Sequence, residues 1–203
     1  PRSTLFPYTT LFRSLVILLG SGTGFKNGVL KNVDGFATNS AFFFSERTGE
    51  AYKGYKKGRY WQMRNRDLET IRQRVKGVSY LSPMAMSWGG QNNVVRGQKA
   101  GTYNVRGVHS EYFQIETQHV LEGRLLNEID VLEKRKVCVI GSIVREVLFT
   151  PAEDPIGEYI RVNGIYYQVV GVVKPKPRVQ IGGRTEESIM TPFTTLQQVA
   201  NQG

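Results

Sequence analysis

Hydrophobic positions that recur at helical spacing predict one well-defined helix in the first half of the chain. Leu68, Ile71 and Val75 share one face, with acidic residues in the first turn and basic residues in the last. These charges complement the helix dipole, and Gly77 provides a stop signal. The pattern therefore predicts a helix over residues 66–76.

Short apolar runs separated by turn residues predict that strands dominate the rest of the chain. Gly89-Gly90 and Ala100-Gly101 separate consecutive runs, and Asn163-Gly164 is a strong two-residue hairpin signal. The predicted strands are residues 42–44, 78–88, 93–98, 102–108, 118–121, 137–140, 159–162, 165–172 and 188–191.

Three shorter helical segments complete the predicted elements. Residues 111–113 form a helical turn, Ser142 caps a helix that ends before Pro151, and Pro192 is the first residue of a final helix. This order predicts an α+β fold with antiparallel hairpins and a few covering helices. Residues 103–108 (YNVRGV) are similar to residues 167–172 (YQVVGV), a repeat compatible with two similar subdomains.

Composition adds a basic bias and excludes several classes of protein. The 203 residues are 40% hydrophobic and 22% charged, which is ordinary for a globular protein and excludes wholesale disorder. The 27 Lys and Arg residues outnumber 17 Asp and Glu residues, giving a net charge of +10. With only Cys138, His109 and His119, the chain contains no internal disulfide and no Cys/His zinc cluster of usual spacing.

Residues 1–14 are not expected to belong to the fold. Residues 3–14 (STLFPYTTLFRS) resemble the in-frame translation of a sequencing adaptor, so we expect residues 1–14 to be an artefact. Removing Arg2 and Arg13 lowers the net charge by two, to +8, and the basic bias remains. The apolar run 15–19 is shorter than the roughly 20 residues of a membrane-spanning helix. It is either the end of a longer membrane helix or the start of a buried strand.

The sequence contains no motif that supports catalysis or nucleotide binding. The glycines of residues 20–24 and 54–58 match neither the dinucleotide nor the Walker pattern. His109 precedes Ser110, but no G-x-S-x-G motif surrounds a serine, and Cys138 lies in an apolar run that predicts a buried, inert thiol. The carboxylates Glu122, Glu128, Asp130 and Glu133 are predicted to lie in a solvated loop. We therefore predict no catalytic, cofactor-binding or metal-binding residues.

Cations and aromatic residues alternate in one segment of the chain. Three interpretations stay open: a solvated loop with aromatics packed underneath, a surface close to anionic lipid headgroups, and a nucleic-acid-binding surface. The residues are Tyr52, Lys53, Tyr55, Lys56, Lys57, Arg59, Tyr60 and Trp61.

Several stretches, taken in chain order, resemble the periplasmic core domain of MacB-like ABC transporter permeases, a member of the FtsX-like group. The resemblance covers residues 15–203 and depends on the collinear order of its motifs. They are LVILLGSGTGFKNGVLKN (15–32), DLETI (67–71), GVSYLSP (77–83), YNVRGV (103–108), EYF (111–113), LEGR (121–124), VCVIG (137–141), DPIG (154–157), YQVVGV (167–172) and TPFTT (191–195).

The resemblance implies an organisation in which two small α/β subdomains, one inserted into the other, stand on a stalk from a truncated transmembrane helix. Residues 15–24 would then be the end of the first transmembrane helix, and residues 25–62 the stalk and first part of the membrane-proximal subdomain. Residues 63–130 would form the inserted subdomain, and residues 131–203 the remainder of the membrane-proximal one.

The resemblance also implies a non-catalytic domain of an inner-membrane permease, placed in the periplasm, that relays ATP-driven motion for export or efflux. The implied partners are an ABC ATPase subunit or domain, a second permease copy, a periplasmic adaptor and an outer-membrane channel. A lipoprotein-releasing permease domain is the first alternative. A soluble, basic nucleic-acid-binding domain with a continuous basic face is the second.

Overall fold

One sheet organises the computed structural model, which describes residues 28, 39–87, 92–176 and 183–200. Its strands are β1 (Met84–Met86), β2 (Asn92–Arg96), β3 (Lys99–Val108), β4 (Gln118–Gly123), β5 (Val137–Gly141), β6 (Tyr159–Val162), β7 (Ile165–Pro175) and β8 (Ser188–Pro192). The helices are α1 (Asn65–Arg74), α2 (Tyr112–Ile115), α3 (Glu128–Leu132), α4 (Ser142–Leu148) and α5 (Phe193–Ala200), with a 3-10 turn at Thr185–Glu187.

The strand pairings close this sheet into a ring. β3 pairs with β2 in antiparallel orientation through its first half and with β8 in parallel orientation through its second half. β8 pairs with β5, β5 with β7, β7 with β6, and β6 returns to β2. β1 and β4 extend the ring by pairing with β3 and β7. A closed sheet surrounds its core and protects its edges.

The ring has an internal pseudo-two-fold symmetry. The hairpins β2–β3 and β6–β7 meet where Val94 pairs with Val162, and β5 meets β8 where Val139 pairs with Met190. β3 runs parallel to β8 as β7 runs parallel to β5, and both β5 and β8 lead directly into a helix. The repeated hexapeptides of residues 103–108 and 167–172 therefore lie on the equivalent strands β3 and β7.

Apolar side chains cover both faces of the central strands. One cluster draws buried residues from all six strands of the ring, including the first tyrosine of each repeat, Tyr103 and Tyr167. Because side chains alternate along a strand, Cys138 and Ile140 of β5 belong to this cluster while Val139 belongs to a second one. The second cluster contains Val108, Tyr112, Phe113, Leu126, Val137, Val139, Val173 and Met190.

Two glycines in equivalent positions allow close packing against the ring. A Cβ atom at Gly107 would lie 2.9 Å from the Cβ atom of Leu196 on α5. At Gly171 it would overlap the backbone carbonyl oxygen of Arg124. The predicted hairpin turn is confirmed as well, because Asn163 and Gly164 have φ values of 46° and 89°, the left-handed conformations of a type I′ turn.

Some predicted elements differ from the structure. Residues 42–44 form no strand, and Phe43 and Phe44 are exposed. Residues 78–83 are not in a strand, and residue 88 lies outside the described residues. Pro192 ends β8 rather than beginning α5, since it pairs with Val108 of β3. Ser142 is the first helical residue, and Gly141 precedes it as the N-cap without a side-chain hydrogen bond.

The predicted membrane-proximal segments are only partly described. In the described ranges, no helix combines the length and the apolar character needed to cross a bilayer. Residues 15–24 lie outside those ranges. The boundary at residue 130 stays a prediction, and strands from before and after it pair within the same sheet.

We predict that Gly171→Ala lowers the free energy of unfolding by roughly 3 kcal/mol, because the added methyl meets the carbonyl oxygen of Arg124, whose backbone N–H is bonded to Val170 of β7. Gly107→Ala should cost less, since its contacts with Leu196 Cβ at 2.9 Å and Phe193 Cα at 3.1 Å are longer than the overlap at Gly171. Urea denaturation monitored by circular dichroism measures both. Gly49→Ala is the control, because nothing lies within 4 Å of the added atom, and equal losses in all three variants would contradict the prediction.

Candidate functional site

Two oppositely charged side chains lie in the interior with no solvent exposure. Arg106 of β3 and Glu116, which follows α2, are both 0% exposed. In the pseudo-symmetric strand β7, the position equivalent to Arg106 is Val170. Buried charges are stable only when hydrogen-bonded partners replace water, so the surroundings of these two residues must supply such partners.

Two hydroxyl groups link Arg106 to Glu116. The Tyr112 hydroxyl accepts from Arg106 Nη1 at 3.3 Å and donates to Glu116 Oε2 at 2.7 Å. The Thr185 hydroxyl accepts from Arg106 Nη2 at 3.1 Å and donates to Glu116 Oε1 at 3.4 Å. Gln118 Nε2 also donates to Glu116 Oε1, at 3.1 Å. We call these five residues the buried polar network.

The buried polar network connects four separate elements of the fold. Its residues come from β3, α2, the start of β4 and the 3-10 turn that precedes β8. Burial raises the pKa of the Tyr112 hydroxyl far above its usual value, although the positive charge of Arg106 opposes the shift. The hydroxyl therefore stays protonated at neutral pH, so the network provides fixed hydrogen bonds rather than proton transfer.

A second buried charge lies at the N-terminus of α3. Asp130, predicted to be solvated, has a side chain that is 0% exposed. Its carboxylate contacts Arg124 Nη1 at 2.6 Å and Arg135 Nη1 at 3.7 Å. It also accepts from the backbone N–H of Asn127, whose own side chain accepts from the Asp130 N–H. This reciprocal pair is a capping box, and with Arg124 and Arg135 it supplies the polar partners that a buried carboxylate requires.

The pKa of Asp130 reflects two opposed effects. Burial alone would raise the pKa of the carboxyl group, but the hydrogen bonds from Arg124 and from the Asn127 backbone lower it below its usual value. The positive charges of Arg124 and Arg135 lower it further. The carboxylate is therefore ionised at neutral pH and holds the connection between β4 and β5.

The residues considered for catalysis do not meet in the fold. Cys138 lies in the core of the ring, where burial raises the pKa of its thiol well above the usual value. His109 packs against the edge of Phe193 at a centroid distance of 5.3 Å, and burial lowers the pKa of its imidazole. Glu111 pairs with Arg72 at 3.2 Å. Within the described ranges, no group of three His, Cys, Asp or Glu residues has metal-binding geometry.

The basic and aromatic segment folds back on itself as a small hairpin held by two isolated β-bridges. Bridges join Arg47 to Tyr60 and Tyr52 to Tyr55, and the backbone N–H of Thr48 donates to the carbonyl of Arg59 at 2.9 Å. We call residues 47–61 the basic hairpin. Its aromatic side chains are exposed, Tyr52 by 69% and Trp61 by 48%. The interpretation with aromatics packed underneath is therefore wrong, because no part of the described core covers them.

Comparison with known families gives the chain its classification. The family model of the MacB-like periplasmic core domain matches residues 14–203. The chain belongs to this family. The resemblance inferred from the order of its motifs is therefore confirmed.

Curated relatives of this MacB-like domain are export proteins. It is 27% identical over 187 residues to the macrolide export ATP-binding/permease protein MacB of Aggregatibacter actinomycetemcomitans, covering 90% of this chain and 27% of that protein. It is 33% identical over 133 residues to MacB of Rhodopirellula baltica, covering 64% and 19%. It is 25% identical over 181 residues to the pyoverdine export protein PvdT of Pseudomonas entomophila, covering 89% and 26%. The chain spans about a quarter or less of each relative.

Solved structures of the same kind share the fold. The periplasmic region of MacB from Actinobacillus actinomycetemcomitans superposes with a TM-score of 0.60 at 23% identity, covering 87% of this chain and 75% of that one. The extracellular domain of the noncanonic ABC-type transporter YknZ from Gram-positive bacteria superposes with a TM-score of 0.58 at 19% identity, covering 69% and 67%. The expected α+β class, with a dominant sheet and few helices, is confirmed.

Sequence reasoning did not find the buried polar network. One signal was present, since the two repeats differ where YNVRGV has Arg106 and YQVVGV has Val170. An arginine that replaces valine on a strand rich in buried residues indicates a paired interior charge. The partner Glu116 carries no comparable signal, because its burial depends on contacts with Thr185, far away in the sequence.

We predict that Arg106→Met lowers the free energy of unfolding by roughly 3–5 kcal/mol, because it leaves the Glu116 carboxylate buried without its cation. The double variant Arg106→Met/Glu116→Leu should lose less than the single variant, since neither charge remains. Urea denaturation of both proteins tests this. The control is Arg161→Met at an exposed position of β6, and a loss no larger than in this control would show that the network does not stabilise the fold.

We predict an acid-dependent stability contribution from Asp130. Its folded-state pKa is lowered, so the stabilisation is complete above the unfolded pKa of about 3.9 and is lost as pH falls through the folded value. Asp130→Asn should cost about 2 kcal/mol at pH 7, and its difference from the parent should shrink below pH 4. Urea titrations from pH 3 to pH 7 measure this, with exposed Glu128→Gln as the control. A difference that is constant across this range would contradict it.

Proposed function

We propose that this chain is the periplasmic domain of an inner-membrane ABC transporter permease and relays ATP-driven motion during export across the cell envelope. The observation that carries the proposal is the family match over residues 14–203. The domain itself is non-catalytic. ATP hydrolysis belongs to a cytoplasmic nucleotide-binding module, either fused to the permease or separate from it.

The closed ring supports a relay role because a relay must move without deforming. Bending the ring would separate paired strands on both sides of β3 and would expose the charges of the buried polar network. Both consequences cost free energy, since broken strand pairs and unpaired buried charges lose hydrogen bonds. The ring is therefore suited to transmit a displacement as a rigid body.

Helix α1 is the described element through which such a displacement would reach the ring. It has no buried residue, and polar contacts hold it at both ends. Asn65 exchanges side-chain hydrogen bonds with Gln197 of α5, and Arg72 pairs with Glu111 at 3.2 Å. The chain before α1 would lead to the first membrane helix, which we place at residues 15–24.

The remaining organisation and the partners are also proposals. Residues 25–62 and 131–203 would build the membrane-proximal subdomain, and residues 63–130 the inserted one. The domain would pair with a second permease copy and act with an ABC ATPase, a periplasmic adaptor and an outer-membrane channel. The curated relatives are named for macrolide and pyoverdine export, which favours export over lipoprotein release.

The test is a distance measurement in the full permease, reconstituted with its ATPase in lipid nanodiscs. Cys138→Ala and replacement of any other cysteine provide the background, and Glu146→Cys on the exposed side of α4 carries a spin label. We expect the distance between labels on two permease copies to change under ATP turnover. An ATPase variant that cannot hydrolyse ATP is the control.

A second label pair separates relay from deformation. Labels at Gln98→Cys, in the turn between β2 and β3, and at Glu146→Cys on α4 within one copy report on the ring and the helix packed against it, and both positions are exposed. Their distance should stay constant while the distance between copies changes. A constant distance between copies, or a change within the ring, would contradict the proposed relay.

A further inference from the structure

The basic hairpin is an ordered element that the ring does not cover. Cross-strand backbone hydrogen bonds fix its two sides, among them Gly58 N–H to the Thr48 carbonyl at 2.9 Å. Lys53 and Gly54 form its turn with φ values of 47° and 82°. Every residue from 49 to 66 is exposed. The hairpin therefore presents both of its faces to the surroundings.

The charge of the hairpin is concentrated at its tip. The segment from residue 52 to residue 60 contains four cations and no carboxylate, while Glu50 lies nearer the base. In the described part of the chain, none of the four forms an ion pair within 4.0 Å. Instead, Lys53 lies 5.4 Å from the ring centroid of Tyr52, and the Arg59 guanidinium lies 4.4 Å from that of Tyr55.

We propose that the basic hairpin docks on the anionic phospholipid headgroups of a membrane surface. Lysine and arginine side chains are attracted to the negative potential of an anionic membrane surface. Tyrosine and tryptophan side chains favour the headgroup region, where the apolar part of the ring is buried and its polar group contacts water. The tip carries both kinds of residue together, and among the described residues no carboxylate pairs with its cations.

The choice of lipid over nucleic acid rests on the proposed function. A periplasmic domain of a membrane permease lies next to a bilayer surface. A nucleic acid would have to enter the periplasm before it could bind the hairpin. In the chain, the hairpin also lies between the proposed membrane helix at residues 15–24 and α1. Docking of the hairpin would give the domain a contact with the bilayer that does not depend on nucleotide.

Binding of the 203-residue chain to vesicles tests this proposal. The vesicles are pure phosphatidylcholine or phosphatidylcholine with 30% phosphatidylglycerol, and flotation measures partitioning at low salt. We expect binding to the anionic vesicles that weakens with salt. The chain has two tryptophans, so in a Trp88→Phe background all tryptophan fluorescence comes from Trp61. Its emission maximum should shift to shorter wavelength on binding.

Matched charge variants locate the binding surface. Each lysine near an anionic surface contributes about a fivefold increase in partitioning, so Lys53→Gln/Lys56→Gln/Lys57→Gln should weaken binding roughly a hundredfold. The control removes three exposed lysines elsewhere, Lys76→Gln/Lys136→Gln/Lys174→Gln, and should weaken it far less. Equal losses in the two variants would overturn the proposal, since net charge alone would then explain binding.

Two other outcomes would overturn the proposal. No Trp61 shift and no flotation with anionic vesicles would show that the hairpin does not dock on lipid. Tighter binding of a single-stranded oligonucleotide than of anionic vesicles at the same salt concentration would favour nucleic acid. The proposed relay is tested separately, because the label distances in the nanodisc experiment respond to ATP and not to the lipid affinity of this hairpin.

Discussion

The parallel pairing of β3 with β8 is the contact on which the rest of the structure depends. It joins the β2–β3 hairpin to β8, the last described strand, and closes the ring. The same pairing places the 3-10 turn beside β3, so that Thr185 reaches Arg106. Without it, the sheet would have two open edges, and the buried arginine would lose a hydrogen-bond partner. The pairing of β3 with β8 therefore both closes the ring and supplies a partner for the buried arginine.

The pseudo-two-fold symmetry is broken where the buried charge lies. Both halves supply a hairpin, a parallel partner strand and a helix, and both place a glycine at a close contact, Gly107 and Gly171. Only β3 carries an interior arginine, whereas Val170 occupies the equivalent position in β7. Hydrogen bonds between buried charged and polar groups fix the arrangement of the elements that they join. In a pseudo-symmetric ring, the buried polar network distinguishes β3 from β7 as the partner of β8.

Local signals made part of this fold predictable from the sequence. Helix α1, most of the ring strands and the Asn163-Gly164 turn follow from periodicity and backbone preferences of neighbouring residues. The closure of the ring does not, because parallel pairing joins segments that are distant in the chain. Pro192 illustrates the limit, since its preference for a helix start loses to its place opposite Val108. The buried network carried a sequence signal only at Arg106, because Glu116 becomes buried through tertiary contacts.

The apolar run at Phe43 and Phe44 shows a different limit. An apolar run is expected to be buried when other elements pack against it. No described element packs over Phe43 or Phe44, and both side chains are exposed. Exposed large apolar side chains of the described residues are frequent between residues 43 and 80 and scarcer on the ring. Exposed apolar patches are typical of surfaces that contact another molecule. The same segment contains the basic hairpin, for which we propose docking on lipid headgroups.

The contacts around α1 and those within the ring differ in strength, and this difference suits the proposed relay. The Arg72–Glu111 pair and the Asn65–Gln197 hydrogen bonds are solvent-exposed, and exposed pairs of this kind stabilise by about 0–1 kcal/mol. Deforming the ring would instead disturb buried charges, at a cost several times larger. A force applied through the N-terminal segment would therefore change the angle of α1 before it distorted the ring.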